Sequence, residues 1–554
     1  MESCRSVRAS ALILTLAGTA LSGSALGVGI ETIYTKIHLD PTATIPGTVD
    51  LNGAAIASEW EQLQSVVIKP GGTGWLVKGT TTLNSDLKNV AVLGTARTGT
   101  MFLQEGQHCP GGGADERYEF FGTGLSASNL VPFGRFDESG RFAFSARART
   151  AATGTTNAAN GERIFLVDSG NVSVLYKQND PYSGCYDNPA APGGSAPGNE
   201  FMGNQVGSVH LLNNGTVGFT DQAVGSVSFT LRPINFYNLT MFHQSGGTDT
   251  VTGLGGVGTE TFAASTGIVG ERFVTTPDGS HWMMTGSLAG ATTRNVLLLD
   301  GVVLYQTGTS PGGGAAAIQS VSNFELLPNG HWFAWGGYQA QAGFWAVKDG
   351  VVVAKTGDPI TPGNTETWGN TVYMLTGNRR GDWCIAASTS GPAATNEVIV
   401  VNTATASQVK VREGDRADLN NDGIDNDDVF LGRGNLTGNA FAGSTSMTMM
   451  AMSDDGSLYF FSCIHNGAGA DLQTPSFAGD PNGFFRVQFQ PSCSSADFNG
   501  NGDVGTDSDI EAFFACIAGN CCSTCGSADF NADGDIGTDL DIESFFSVLA
   551  GGPC

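Results

Sequence analysis

The sequence predicts a mostly β protein, in which a seven-bladed β-propeller is followed by a small α-helical module. Two observations support this prediction: a turn-and-strand pattern recurs through residues 28–490, and a unit with a period of 32 residues is duplicated within residues 491–554. The composition fits a folded chain, since 40% of the 554 residues are apolar and only 14% are charged.

One half of the body repeat is an Asx-Gly kind of turn followed by an aromatic-rich strand. It occurs at residues 71–77, 137–146, 212–219, 277–284, 328–335, 378–387 and 453–462. The other half, two hydrophobic strands around an Asp-Gly or Ser-Gly turn, occurs at 163–176, 295–305 and 343–354. Asp-Gly between β-branched runs indicates a hairpin, because a type I′ turn requires positive φ angles.

Seven such units of about four strands each predict a seven-bladed propeller, since radially repeated four-stranded sheets leave only short edges. A long array of β-sandwiches is the alternative fold. The pattern also resembles the propeller-like domains of large secreted bacterial proteins.

Residues 1–27 are predicted to be a secretory signal peptide. Arg5 and Arg8 give a positive start, residues 11–21 form a short apolar core, and small residues occupy 25–27. That core is shorter than the roughly 20 apolar residues that span a membrane. We therefore expect an exported chain without a transmembrane segment, located outside the cell, at its surface or in the periplasm.

The charge balance narrows the range of partners. The chain carries 52 acidic residues against 26 basic ones, a formal net charge of −26. Such a surface repels nucleic acid and anionic membranes and suits divalent cations.

Each tail unit places oxygen-bearing side chains at alternate positions and a glycine at the sixth, as in an EF-hand calcium loop. The first loop has Asp497, Asn499 and Asn501, then Gly502 and Asp503; the second has Asp529, Asn531 and Asp533, then Gly534 and Asp535. The seventh residue of each loop, Asp503 or Asp535, would lend its backbone carbonyl. The closing carboxylates are either Asp509 and Asp541, or Asp507 and Asp539.

These residues predict bound Ca²⁺, because a hard cation needs six to eight oxygens converging from a tight loop. The alternative is that Asp, Asn and Gly simply form polar turns. Residues 491–554 hold 11 acidic residues and no Lys or Arg, a charge that two bound Ca²⁺ would partly offset.

Behind each loop, apolar residues recur at i, i+3, i+4 and i+7, which predicts one face of a helix. They are Ile510, Phe513, Phe514 and Ile517, then Ile542, Phe545, Phe546 and Leu549. A loop followed by a helix, twice over, resembles the dockerin module, although the helix begins one residue later here. The tail also resembles C-terminal modules of secreted planctomycete-type bacterial proteins. These resemblances imply calcium-dependent attachment to a cohesin-like or cell-surface protein.

A third acidic loop lies within the body, at residues 418–428. Its candidate ligands are Asp418, Asn420, Asp422, Asp427 and Asp428. The last two come too early for a full EF-hand loop, and no helical pattern follows. This segment is either a calcium-stabilised propeller loop or a bare polar turn.

Ten cysteines remain after the signal peptide, which favours disulfides in an exported chain. The tail duplication suggests Cys493–Cys521 and Cys525–Cys554, leaving Cys516–Cys522. Cys109 and Cys185 follow equivalent turns, so we expect a bridge between them. Cys384 and Cys463 are either a pair or two buried thiols.

No catalytic residue is predicted. Residues 308–312 match the GxSxG pattern, but a repeat turn stands where a nucleophile elbow needs a strand and then a helix. We therefore expect a non-catalytic binding or surface protein, with a carbohydrate or protein ligand on the propeller. The alternative is a polysaccharide hydrolase or lyase, which two carboxylates about 5–10 Å apart, flanked by exposed Trp, would favour.

Overall fold

The structure is a computed structural model, and the part of the chain that it describes begins at residue 29. The described residues are 29–69, 74–111, 113, 115–121, 134–150, 153, 157–181, 200–203, 206–221, 224–225, 232–238, 240–245, 250–253, 258–261, 273–288, 294–338, 342–403, 406–422, 424, 426–435, 439–441, 449–472, 482–489, 496–522, 524–526, 528, 530 and 537–549. The predicted signal peptide lies outside them.

In its described residues, the body consists of β-strands with one short 3₁₀ turn at Pro41–Ala43. In chain order the strands are β1 (Ile30–Thr35), β2 (Trp60–Lys69), β3 (Gly74–Thr81), β4 (Asn89–Thr95), β5 (Thr98–Gln104), β6 (Arg117–Phe121), β7 (Gly134–Phe136), β8 (Phe142–Arg149), β9 (Asn157–Asp168), β10 (Asn171–Lys177), β11 (Glu200–Phe201), β12 (Val206–Leu211), β13 (Val217–Asp221), β14 (Val224–Gly225), β15 (Arg232–Tyr237), β16 (Thr240–Ser245), β17 (Thr250–Gly253), β18 (Gly258–Thr261), β19 (Phe273–Thr275), β20 (Trp282–Leu288), β21 (Arg294–Leu299), β22 (Val302–Gln306), β23 (Asn323–Leu326), β24 (Trp332–Gly337), β25 (Phe344–Lys348), β26 (Val351–Lys355), β27 (Trp368–Gly377), β28 (Trp383–Thr389), β29 (Glu397–Asn402), β30 (Ser407–Arg412), β31 (Ala417–Asp418), β32 (Phe430–Leu431), β33 (Met450–Met452), β34 (Ser457–Ser462), β35 (Ile464–His465) and β36 (Gly483–Gln488).

Within the described residues, six blades are built from strands that follow one another along the chain. Blade I is β2–β5, blade II is β6–β10, blade III is β12, β13, β15 and β16, blade IV is β19–β22, blade V is β23–β26 and blade VI is β27–β30. The prediction of seven such units is corrected to six. The last repeat does not supply four strands of its own.

The two ends of the body meet in one further sheet, which we call the closing sheet. Its order is β31-β1-β36-β34-β33. The first strand, β1, pairs in parallel with β31 and antiparallel with β36. The last repeat therefore borrows a strand from the start of the body, a long-range pairing that no local pattern indicates.

The predicted hairpin turns are confirmed. Asp300 and Gly301 have φ angles of 50° and 84°, and Asp349 and Gly350 have 48° and 81°. Two consecutive positive φ angles are what a type I′ turn demands. These turns join the outer two strands of blades IV and V.

Large aromatic side chains fill the interior where the closing sheet meets blade I. Trp75 is fully buried, and its ring packs edge-on against Tyr34 and Phe484 at centroid distances of 5.7 and 5.4 Å. A Cβ at Gly94 would stand 2.2 Å from the Trp75 ring, so only glycine fits there. The chain termini of the body are thus joined by packing as well as by strand pairing.

The tail contains two helices, α1 (Asp507–Ile517) and α2 (Asp539–Leu549), as the apolar periodicity predicts. The rings of Phe513 and Phe545 stack between them at a centroid distance of 4.2 Å. Phe498 and Phe530, each directly after the first residue of its predicted loop, complete this small core. Equivalent residues of the two repeats therefore face one another.

Candidate functional site

An open cleft of about 1140 Å³ lies beside blade VI. Blade VI forms one wall, and described residues within 430–435, at 439 and within 465–469 contribute the other. Amide and hydroxyl side chains, glycines and a few aromatic rings dominate the lining, together with two carboxyl groups. A cavity of this size accommodates a drug-sized or saccharide-sized ligand.

The two carboxyl groups belong to Glu397 and Glu413, on neighbouring strand ends of blade VI. The Glu413 N–H donates to the Glu397 carbonyl oxygen at 2.9 Å, which places the two residues opposite each other. Burial raises the pKa of both carboxyl groups, that of Glu413 to about 7, and the charge of Glu397 adds to the shift at Glu413. Low exposure and a like-charged neighbour both penalise the ionised form.

Both side-chain oxygens of Glu397 accept hydrogen bonds from the protein itself. The Tyr373 hydroxyl donates to its Oε1 at 2.7 Å, and the Ala440 and Phe441 N–H groups donate to its Oε2 at 2.7 and 3.2 Å. Both oxygens thus position a loop over the cleft instead of facing a ligand. The eight Trp residues are all buried or half-buried, so the exposed Trp flank that would favour polysaccharide hydrolysis is not present.

Several neutral side chains of the cleft have no hydrogen-bonding partner for their side-chain atoms among the described residues. They are Asn370, Thr371, Asn396 and Asn439. Each offers both donor and acceptor capacity. The His465 Nδ1 lies 2.7 Å from the Asn466 carbonyl oxygen, a contact in which Nδ1–H is the donor, so Nε2 is the ring nitrogen left to face a ligand.

The aromatic wall of the cleft is fixed in place. The His465 ring stacks on Phe430 at 5.7 Å with an interplanar angle of 15°. The Arg416 guanidinium stands over the Phe430 ring at 4.9 Å from its centroid. A cation–π contact and a stack hold this wall, so the His465 edge is oriented before any ligand arrives.

A central channel of about 160 Å³ is lined by the innermost strands of all six blades and of the closing sheet. Two ion pairs bridge it. Arg135 of blade II reaches Glu325 of blade V at 3.6 Å, and Arg379 of blade VI reaches Glu138 of blade II at 3.4 Å. These partners lie on blades that are not neighbours, so the channel is crossed by side chains and is not an open pore.

The Asx-Gly turns surround one mouth of this channel and bond adjacent blades. Asn213 donates its N–H to the Pro277 carbonyl oxygen at 2.7 Å and accepts the Glu138 N–H on Oδ1 at 3.1 Å. The Asn329 amide donates to the Arg379 carbonyl oxygen at 2.8 Å. The sequence indicated these residues as turn formers; their contacts between blades depend on tertiary structure and carry no local signal.

In the tail, the first predicted calcium loop closes around Asp497. Its carboxylate accepts the Asn501 and Gly502 N–H groups at 3.0 Å each, and Asn501 Oδ1 accepts the Asp503 N–H at 2.8 Å. Asn499 Oδ1 accepts the Asn501 N–H at 3.0 Å. The structure thus brings the three alternating side chains into one tight turn, with Gly502 at a φ of 93°.

The two pairs of candidate closing carboxylates differ in placement. Asp509 is fully buried and accepts N–H groups from Asn499 at 3.2 Å and Thr506 at 2.9 Å, in a capping box of α1. Asp541 repeats this with Phe530 at 2.7 Å and Thr538 at 2.8 Å. Burial opposes ionisation of Asp509, but these hydrogen bonds hold its pKa below the usual value. Asp507 is exposed on the first turn of α1.

In the second predicted loop, Asp529, Asn531, Asp533 and Asp535 lie outside the described residues. The side chain of Asp539 lies outside them as well. Across the part of the chain that the structure describes, no three His, Cys, Asp or Glu side chains gather as a metal cluster. Calcium binding stays a prediction.

The body loop 418–428 directs its oxygens toward its own backbone. Asp427 Oδ2 accepts the Leu419 N–H at 2.6 Å and the Asn420 N–H at 3.1 Å. Asp418 Oδ1 accepts the Asp422 N–H at 3.2 Å. Asp428 Oδ1 instead reaches the Gly467 N–H, at 2.7 Å.

This loop also holds the first strand of the body, which sequence reasoning missed. Asn421 accepts the Thr32 N–H on Oδ1 at 3.0 Å and donates from Nδ2 to the Thr32 carbonyl oxygen at 2.8 Å. Arg97 of blade I donates to the Asn421 carbonyl oxygen at 3.2 Å. The side-chain amide thus extends the pairing between β1 and β31.

The disulfides differ from the predicted pairing. Cys516 bonds to Cys521, and Cys522 bonds to Cys525. The expected pairs Cys493–Cys521, Cys525–Cys554 and Cys516–Cys522 are therefore wrong, although Cys493 and Cys554 themselves lie outside the described residues. Symmetry between repeats misled the prediction, because the linker between them forms its own short cross-links.

In the body, Cys109 is a buried free thiol, so the expected bridge to Cys185 is wrong; Cys185 lies outside the described residues. The Cys109 sulfur lies 3.2 Å from an Arg163 nitrogen, and burial raises the pKa of the Cys109 thiol to about 11. Cys384 and Cys463 are also buried free thiols, which decides between the two alternatives for them.

Blades of antiparallel strands around a bridged channel define the class of this protein: it has a β-propeller fold, followed by a helical module whose described residues form two disulfides. No protein-family model matches the chain, and no curated protein matches it. No helix among the described residues has the length and apolarity that crossing a membrane requires.

Solved structures with some likeness have low identity. Hydrazine synthase from Kuenenia stuttgartiensis is 11% identical with a TM-score of 0.26, over 65% of this chain and 80% of that one. A eukaryotic initiation factor is 10% identical with a TM-score of 0.31, over 83% and 98%. Acylaminoacyl peptidase from Pyrococcus horikoshii is 8% identical with a TM-score of 0.31, over 75% of this chain and 54% of that one.

Proposed function

We propose that this protein is an exported, non-catalytic binding protein whose propeller takes a neutral saccharide in the cleft beside blade VI. The observation that supports this most is the set of uncommitted amide and hydroxyl groups around a cavity of about 1140 Å³. Sugar hydroxyl groups both donate and accept, and amide side chains match them without a net charge. The strong negative charge of the chain disfavours an anionic ligand.

The contacts of the carboxyl groups support binding without catalysis. A glycoside hydrolase needs two carboxyl groups that both reach the substrate. Glu397 instead uses both oxygens to hold Tyr373 and the 440–441 backbone. Glycoside hydrolysis stays the alternative, and it would require Glu397 to release those contacts.

Replacing Asn396 and Asn439 together by Ala is expected to weaken saccharide binding at least about tenfold, because each lost hydrogen bond contributes on the order of 1 kcal/mol. A panel of neutral oligosaccharides on an array selects the probe, and titration calorimetry measures its dissociation constant. Asn520→Ala, an exposed asparagine of the tail, is the matched control. Equal affinity in both variants, or no retained saccharide at millimolar concentration, would contradict the proposal.

We also propose that the tail binds Ca²⁺ and attaches the protein to a cohesin-like or cell-surface partner. The turn around Asp497, with the side-chain oxygens of Asn499 and Asn501, fits a hard cation in its donor chemistry. In the first loop, Asp507 fits the closing role better than Asp509, since Asp509 already caps α1. Asp541 likewise holds the start of α2, so we assign the closing role of the second loop to Asp539 by the repeat of the sequence.

Calcium titration calorimetry of the full chain is expected to show two saturable sites, with dissociation constants of roughly 10⁻⁴–10⁻³ M, as in extracellular modules. Both are expected to disappear in the Asp497→Ala/Asp529→Ala variant. Asp168→Ala, an exposed aspartate on a hairpin of blade II, is the control. A third site that survives this change and disappears in Asp422→Ala would belong to loop 418–428. Absence of binding up to about 10 mM would overturn the calcium proposal.

A further inference from the structure

The two disulfides that the described part of the tail contains differ in their surroundings. Cys522 is exposed and its partner Cys525 is half-buried. Cys521 is also exposed, but its partner Cys516 is only 4% exposed and belongs to the aromatic core between α1 and α2. An external thiol can therefore attack one exposed sulfur of each disulfide, that of Cys521 or Cys522. The sulfur that leaves is buried in one case (Cys516) and half-buried in the other (Cys525).

The Cys522–Cys525 turn lies directly against the first predicted calcium loop. Thr524, inside the turn, donates its hydroxyl to the Asn499 carbonyl oxygen at 2.7 Å. Gly526, just after it, donates its N–H to the Phe498 carbonyl oxygen at 2.9 Å. A Cβ added at Gly500 would stand 3.1 Å from the Thr524 carbonyl oxygen, so the two backbones touch.

We infer that Cys522–Cys525 is a redox-active disulfide, which small external thiols open before Cys516–Cys521 and whose opening loosens the first loop of the tail. The contacts around Cys522–Cys525 involve neither bound calcium nor a saccharide. The co-reactant is a low-molecular-weight thiol or dithiol.

The reaction is ordinary thiol–disulfide exchange. A thiolate of the reductant attacks the exposed Cys522 sulfur, forming a mixed disulfide and releasing Cys525 as a thiolate, which takes a proton from water. A second reductant thiolate then attacks the reductant-derived sulfur of the mixed disulfide. This step releases Cys522 as a thiolate, which takes a proton from water, and forms the oxidised reductant. Two electrons pass to the protein, and two reductant thiols become one disulfide.

The order of opening follows from the leaving group. Exchange is faster when the departing sulfur is stable as a thiolate. Burial disfavours the charged form, so Cys516 departs into an apolar core less readily than Cys525 departs from a half-buried position. The cross-link that keeps Thr524 against Asn499 is thus the more easily broken one.

The test is a dithiothreitol titration of the oxidised full chain in buffer with a calcium chelator. Free thiols are trapped with iodoacetamide after acid quenching and mapped by mass spectrometry. We expect Cys522 and Cys525 to be alkylated at dithiothreitol concentrations about tenfold lower than Cys516 and Cys521. The buried thiols Cys109, Cys384 and Cys463 report global unfolding and are expected to stay unmodified.

Hydrogen exchange then measures the coupling. Amides of Asn499 to Gly502 are expected to exchange at least about tenfold faster in the selectively reduced protein, because a lost constraint lets the loop open locally. The Cys522→Ser/Cys525→Ser variant is expected to reproduce this without reductant, while amides of α2 keep their rates. Opening of Cys516–Cys521 first or simultaneously, or unchanged exchange at Asn499–Gly502, would overturn the inference. Because calcium is chelated, neither result depends on the proposed function.

Discussion

The protein is expected to lose stability as the pH rises from about 4.5 to 8, and the Glu162→Gln variant is expected to lose much less. Glu162 of β9 is 1% exposed, and burial raises the pKa of its carboxyl group to about 8. Arg147, at 3.6 Å, opposes that shift, whereas the charges of Asp221 and Glu119 add to it. The folded state therefore holds a proton that the unfolded chain releases near pH 4.5.

The direction in which the free energy of unfolding changes with pH follows from that difference in bound protons. Stability from protonated Glu162 is fully present below the unfolded pKa and is lost as the pH rises through the folded pKa, a change of roughly 4 kcal/mol. Glutamine stays neutral, so the variant is expected to be the more stable protein at pH 8.5 and nearly equal at pH 4.5. Urea unfolding midpoints across this range measure the difference.

The control is Glu543→Gln, which makes the same isosteric change at an exposed position on α2. Its unfolding midpoints are expected to follow those of the unmodified protein at every pH. Glu105 and Glu413, whose pKa values burial raises to about 7, add a slope of the same sign that the Glu162 variant retains. Parallel curves for Glu162→Gln and the unmodified protein would show that the buried carboxyl group does not titrate as described.

Asn421→Ala is expected to destabilise the propeller by roughly 1–3 kcal/mol, because it leaves the Thr32 N–H and C=O without their partner. The side-chain amide of Asn421 makes both of these hydrogen bonds to β1. Denaturant unfolding measures the loss, and hydrogen exchange at the Thr32 amide measures its location. The effect is expected to be concentrated in β1, where the closing sheet joins the start of the body.

Two further variants separate the loss of the amide contacts from the backbone strain at position 421. Asn421 has a φ of 56°, so Asn421→Gly removes the amide while relieving the strain that alanine would suffer there. Asn426→Ala changes an exposed residue of the same loop and is expected to be neutral. If Asn421→Gly protects Thr32 as well as asparagine does, the amide contacts contribute nothing and only the backbone conformation matters.

Local chemistry explains which parts of this structure were predictable. The turns at Asp300-Gly301 and Asp349-Gly350 require positive φ angles, a property of four neighbouring residues that sequence displays directly. The helices α1 and α2 were equally visible, because an apolar stripe with the spacing of a helix lies within eleven residues.

Contacts between distant segments explain what was missed. The pairing of Glu31 with Arg486 and Asp418 creates the closing sheet, and nothing near any of these residues indicates it. The count of seven consecutive units failed for that reason. The repeat symmetry of the tail likewise predicted bonds between repeat ends, whereas the short linker pairs Cys522 with Cys525.

The cleft was beyond prediction in a different way. Glu397 and Glu413 lie 16 positions apart and become neighbours only through the pairing of β29 with β30. Whether a carboxyl group faces a ligand or a backbone N–H depends on the loop at Ala440, which arrives from another repeat. Residue type alone does not distinguish these roles.

The closing sheet also determines an order of events during protein synthesis. The strand Ile30–Thr35 leaves the ribosome early, whereas its antiparallel neighbour begins only at Gly483. At about 5–20 residues per second, the first strand waits on the order of tens of seconds for its partner. During that interval its backbone is an unpaired edge, open to pairing with other chains. The closing sheet can therefore be completed only after Gly483–Gln488 has emerged.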